Sequence, residues 1–235
     1  MGAPMRTREE RRIDWARYGF ENLLVWLFVY LMIGPFLESI PYAHTVMNLF
    51  LTAVLCSAAY ALDRSGKMFS SSIALMAITL ILLWLNAFHV VRFPPYSISA
   101  LLILFLATLV YSFARQLFAI RRVTANTICA ALCLYLIIGL LWGAVFSMAE
   151  ALAPGSFGGA LLSNVSTHEE KTYFLNYLSY ITLTTLGYGD ITPQTRSAVA
   201  LCQAEAMLGQ FFAMIVVARL VGIQVAQETT DPKES

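Results

Sequence analysis

The chain has 235 residues, 59% hydrophobic and only 12% charged, with a formal net charge of +1. A soluble domain carries roughly 25% charged residues, so the composition excludes an ordinary soluble protein and points to an all-α polytopic membrane protein. The near-neutral charge implies neither a polybasic nor an acidic partner, and no nucleic acid.

Residues 1–21 mix charge with Trp15, Tyr18 and Phe20. They read either as an interfacial helix on the inner headgroups or as a topogenic charge cluster. A bilayer core about 30 Å thick needs about 20 mostly apolar residues per helix. Six runs qualify: Asn22–Ile40, Ala43–Leu62, Met68–Val91, Ile98–Ile120, Thr127–Leu152 and Ser197–Val225. With the N-terminus inside, the cytoplasmic side holds twelve of the fifteen Lys and Arg. That bias sets both termini in the cytoplasm and Ala153–Arg196 outside. Cys56, Cys129, Cys133 and Cys202 all lie in apolar runs and read as helix-packing residues rather than a disulfide framework.

The region after the fifth run is too polar to be a simple span. It opens as a Gly-, Ser- and Pro-rich loop and continues as "TYFLNYLSYITLTTLGYGDITP". Thr172–Leu183 is short and aromatic, and fits a re-entrant helix. Irregular backbone at membrane depth survives only when buried in protein or lining water, so Thr184–Asp190 is an ion-pathway candidate on physical grounds.

"TTLGYGD" closely resembles the selectivity-filter signature of potassium channels, usually Thr-Val-Gly-Tyr-Gly-Asp; here Leu186 takes the valine position. The resemblance implies a homotetramer in which rings of backbone carbonyls replace the hydration shell of K+. Those carbonyls would belong to Thr185, Leu186, Gly187 and Tyr188, with the Thr185 hydroxyl as the innermost ring. Gly187 and Gly189 would take the left-handed angles that an alternating backbone needs. Tyr188 would point into the protein and brace the loop against the short helix. Asp190 would sit at the outer mouth. Thr184, at the negative end of the short helix's dipole, and Tyr177 and Tyr180 as an aromatic collar would support the filter. Potassium is the permeant ligand, and no cofactor is expected.

In the last run, Glu205 lies where an ionised acid costs about 2.5–3.5 kcal/mol or more. It is expected to be protonated or hydrogen-bonded, with Thr182 or Tyr180 as partner, supporting the filter from the opposite wall. Gly209 and, less so, Gly222 are gating-hinge candidates, with close packing the alternative. Ile215, Val216 and Leu220 are candidates for an apolar inner gate. Arg219 is expected to snorkel to the inner headgroups.

Six spans with the filter between the last two resemble the voltage-gated cation channel superfamily. The resemblance divides the chain into a segment 1–21, a four-helix peripheral domain 22–121, a pore domain 122–226 and a tail 227–235. The fourth run departs from the family: Arg115, Arg121 and Arg122 all lie at its inner end. Little voltage sensitivity is expected. The inner arginines would lie on anionic headgroups. No nucleophile–base pair or metal-binding motif suggests an enzyme. The implied function is a potassium-selective channel in a prokaryotic plasma membrane. The alternatives are a weakly selective cation channel and a non-conducting sensor or accessory subunit.

Overall fold

The computed structural model describes residues 8–37, 43–61, 67–88, 94–119, 122–163, 165 and 167–230. Seven α-helices occur among them: α1 Arg8–Ile33, α2 Ala43–Tyr60, α3 Lys67–Ala87, α4 Pro95–Ala119, α5 Ala125–Leu152, α6 His168–Leu183 and α7 Arg196–Thr230. Each of the six apolar runs falls on a helix. Tyr96–Ala119, Ala125–Leu152 and Arg196–Gln227 are long and apolar enough to cross a membrane, while Gly19–Ile33, Thr45–Tyr60 and Ser72–Ala87 are shorter apolar stretches. The protein is therefore a helical membrane protein.

Several boundaries differ from those read in the sequence, two of them in α1; α7 also runs on to Thr230, past the expected Val225. The amino-terminal segment is not a separate element, because α1 runs unbroken past Glu21. No proline interrupts "WARYGFENLL", so the ladder of backbone hydrogen bonds continues. The same helix stops at Ile33 rather than Ile40, passing into a 3₁₀ turn at Gly34–Leu37. Pro35 lacks a backbone N–H and disfavours helical angles at the residue before it. Glu38, Asp63, His89 and Arg121 lie outside the described residues.

Local chemistry explains the other helix ends. Thr124 caps α5: its hydroxyl accepts from Thr127 N, while the Thr127 hydroxyl accepts from Thr124 N. This reciprocal pair satisfies two otherwise orphaned donors. The short helix α6 begins at His168, four residues before the expected Thr172. Thr167 accepts from Glu170 N, and an acid in the first turn complements the helix dipole. These signals outweigh the low hydropathy of that first turn.

The main core is built by α1, α2, α4 and α5, with Leu23, Leu55, Phe105, Leu109, Phe113 and Ile137 fully buried. A second cluster joins the outer half of α5 to α6 and the loops: Phe146, Phe157, Leu175, Leu178, Ile181 and Ile191. Two short antiparallel strands, β1 Phe157–Gly158 and β2 Thr192–Pro193, pair the loop before α6 with the segment after it. Glu150 at the end of α5 organises that loop. Its carboxylate accepts from Gly155 N and Phe157 N and pairs with Lys171 at 3.2 Å. The last helix is different: only 11% of its apolar window is buried within the chain, against 56% for α5. Burial of most of α7 would have to come from lipid or from other copies.

Candidate functional site

The pathway segment starts where α6 ends. Thr184 caps the helix with its hydroxyl on Tyr180 O at 2.7 Å. The chain then folds back over the last turn: Leu186 N and Gly187 N both donate to Ile181 O, at 2.8 and 3.1 Å. Every second residue beyond the cap has positive φ: Thr185 at +60°, Gly187 at +51° and Gly189 at +79°. Alternating handedness turns successive peptide planes so that their oxygens can share one side of the strand. Glycine takes these angles without a Cβ clash. A β-branched residue with positive φ is a genuine outlier, and Thr185 was not foreseen as one. The backbone oxygens of Thr184 to Gly189 accept no hydrogen bond among the described residues. The structure therefore presents unclaimed carbonyls at the negative end of a helix, an arrangement suited to a cation.

Side chains around the segment follow the sequence reading in part. The Tyr177 hydroxyl donates to Asp190 Oδ2 at 2.6 Å, and Asp190 Oδ1 accepts from Ile191 N. These two contacts hold Asp190 to α6 and to its own backbone. Tyr180 does not join it. Its ring packs on Gly139 of α5 and its hydroxyl donates to Leu136 O at 2.7 Å. It stands three residues beyond Tyr177, about 60° away in direction on a helix of 3.6 residues per turn, and binds α6 to α5. Tyr188 does not brace α6 within its own chain, being 68% exposed; Leu186 is likewise 55% exposed. In an alternating backbone these two side chains leave the segment on one side, and no element of the same chain covers them.

Residues that the sequence reading missed complete the surroundings. Gln210 Nε2 donates to the Thr185 hydroxyl at 3.2 Å, and Tyr135 of α5 donates to Leu183 O at 3.1 Å. Gln210 had a visible signal, an amide midway along an apolar span. Tyr135 had none, being one aromatic among many.

Glu205 is fully buried, but its partner is Ser179 rather than Thr182 or Tyr180. Ser179 Oγ also lies 2.7 Å from Gly139 O. A serine hydroxyl carries one hydrogen, so it can donate to only one of these two oxygens. Both contacts are hydrogen bonds only if the Glu205 carboxyl is neutral and donates to Ser179, which donates to Gly139. The result is a chain of bonds linking α7, α6 and α5.

Candidates for the gate divide by helix face. Gly209 is buried, and a Cβ there would overlap the Leu183 carbonyl. Here the glycine allows close approach of α7 to the end of α6, and α7 is unbroken through it. Gly222 meets nothing within 4 Å. Val216 is buried and Leu220 packs against the chain's own core, so neither faces outward as an inner constriction would require. Ile215 is exposed, together with Phe211 and Met214. Arg219 Nη2 donates to Phe118 O at 2.6 Å, and its guanidinium lies over the Phe118 ring. A cation near a helix C-terminus is favoured by the carbonyls of the last turn.

The four cysteines are free, and no cluster that could hold a metal occurs among the described residues. Residues 130–225 match the family model described as "Ion channel". The match runs from α5 through the paired strands, α6 and the Thr184–Gly189 strand to α7. No curated protein and no solved structure matches the chain. Within the matched segment, the unclaimed carbonyls lie between the two long helices in sequence and beside both in space.

Proposed function

We propose that the protein is a potassium-selective channel subunit that conducts K+ passively as a homotetramer, with Thr185, Leu186, Gly187 and Tyr188 carbonyls forming the filter. One observation carries the reading: positive φ at Thr185, Gly187 and Gly189 within "TTLGYGD", on a strand whose oxygens accept no hydrogen bond among the described residues. Rings of carbonyls replace the water that a potassium ion sheds. One chain contributes one strand, and a ring needs four. The exposure of Tyr188 and Leu186 supports this, since neighbouring copies would cover them. Six spans, cytoplasmic termini and a prokaryotic plasma membrane complete the proposal. The inner arginines, Arg219 apart, would rest on anionic lipid.

The test is reconstitution of the full chain in liposomes and planar bilayers. Reversal potentials that follow the potassium gradient against opposing sodium are the expected result, with barium as blocker. Gly187→Ala should abolish the flux, because an alanine Cβ strains the left-handed backbone. A reversal potential midway between the two ions would indicate a weakly selective cation channel. Absence of flux from tetrameric protein would leave a sensor or accessory subunit.

A further inference from the structure

Behind α6, on the side away from the carbonyl strand, lies a cavity of about 40 Å³. Its walls include Tyr30 of α1, Leu51 of α2, Ser99 and Leu102 of α4, Ser147 of α5 and Asn176 of α6. The lining carries no charged side chain among the described residues, so an ion is not the occupant it suits. Two of its polar atoms are buried with no hydrogen-bond partner among the described residues: Ser147 Oγ and Asn176 Oδ1. Ser147 is only 1% exposed.

The serine is informative because of what it does not do. A helical hydroxyl lacking other business turns back to the carbonyl four residues earlier. Thr52, Thr79, Thr172 and Thr184 all do so, at 2.7–3.0 Å. Ser147 leaves the Gly143 carbonyl alone. A buried polar group left unmade costs about 1–3 kcal/mol, and native structures satisfy such groups with protein or ordered water. A water needs about 10–15 Å³ of such space and two or more polar partners. The cavity has room for about three waters, and Ser147 and Asn176 supply a donor–acceptor hydroxyl and an acceptor carbonyl.

We infer that this cavity is a water-binding site, in which ordered water bridges Ser147 of α5 to Asn176 of α6 behind the pathway segment. Asn176 directly precedes Tyr177, whose hydroxyl holds Asp190. The bound water thus joins the peripheral helices, which wall the cavity, to the helix that positions the outer end of the strand.

Two measurements on the full chain in lipid nanodiscs test it. A single-particle map fine enough to show solvent should contain discrete density within hydrogen-bond distance of both Ser147 Oγ and Asn176 Oδ1. A dry cavity, or elongated density from a lipid tail, overturns the inference. Ser147→Ala should lower the thermal midpoint by about 2–4 °C relative to the same exchange at half-buried Ser112 of α4, a control that cancels helix propensity. In a dry cavity the exchange removes an unpaired hydroxyl, and an unchanged or higher midpoint would count against bound water. Both readouts are made without ion flux, so their outcome is separate from that of the conduction experiment.

Discussion

Ser179 settles more chemistry than its size suggests. With one hydrogen and two oxygens to serve, it assigns the Glu205 carboxyl the donor role. Glu205→Gln keeps a donor at that place, so its thermal midpoint should stay close to wild type. Ser179→Ala leaves the Gly139 carbonyl and the carboxyl without their shared partner, and should cost about 1–3 kcal/mol. Unfolding of both variants in one detergent separates the cases. If the glutamine variant proved as unstable as the alanine variant, the donor role given to the Glu205 carboxyl would be wrong. The acid in an apolar span was visible in the sequence, but its partner was not. Thr182, Tyr180 and Ser179 all stand on α6 within four residues, and only the rotation of that helix selects one.

Gly209 shows how two long elements fit together. Its missing side chain lets α7 rest on the Leu183 carbonyl, which also accepts from Tyr135. Gly209→Ala should push the helices apart and destabilise the protein by about 1–3 kcal/mol, the usual cost of overpacking. Gly222→Ala meets open space and should change stability by no more than the gain in helix propensity, about 1 kcal/mol. Chemical or thermal unfolding of the pair reads both. A hinge role would instead leave the Gly209→Ala midpoint unchanged and alter only open probability. The apolar character of α7 was plain from composition. That Val216 and Leu220 face inward while Ile215 faces outward was not, since neighbouring residues on a helix differ by 100° in direction.

The whole molecule joins the segment that matches the ion-channel family model to a fourth helix that carries little charge. The fourth helix, Pro95–Ala119, has a single charged residue, Arg115, near its inner end. One elementary charge crossing 100 mV yields about 2.3 kcal/mol, and steep gating takes about 3–4 charges per subunit. Open probability of reconstituted channels should therefore follow voltage with no more than about one effective charge per subunit. Activation curves steep enough to need several charges would contradict this. Arg219 on Phe118 O ties the C-terminal half of α7 to the end of α4, so the fourth helix is mechanically joined to the segment that carries the carbonyl strand.

Hydropathy and backbone chemistry are local, and what they govern was legible without coordinates. The apolar helices, the short helix before the strand and the glycines with positive φ all follow from residues close in sequence. Even there Thr185 escaped notice, because its left-handed angle is imposed by the neighbours that fold Leu186 and Gly187 back onto Ile181. The partners of Glu205 and Arg219, the turn of Tyr180 toward α5, the staple at Glu150 and the cavity beside Ser147 depend on how separate helices are rotated and set against one another. Tertiary packing alone decides that, because a shift of one residue in helix register redirects every side chain by more than a quarter turn.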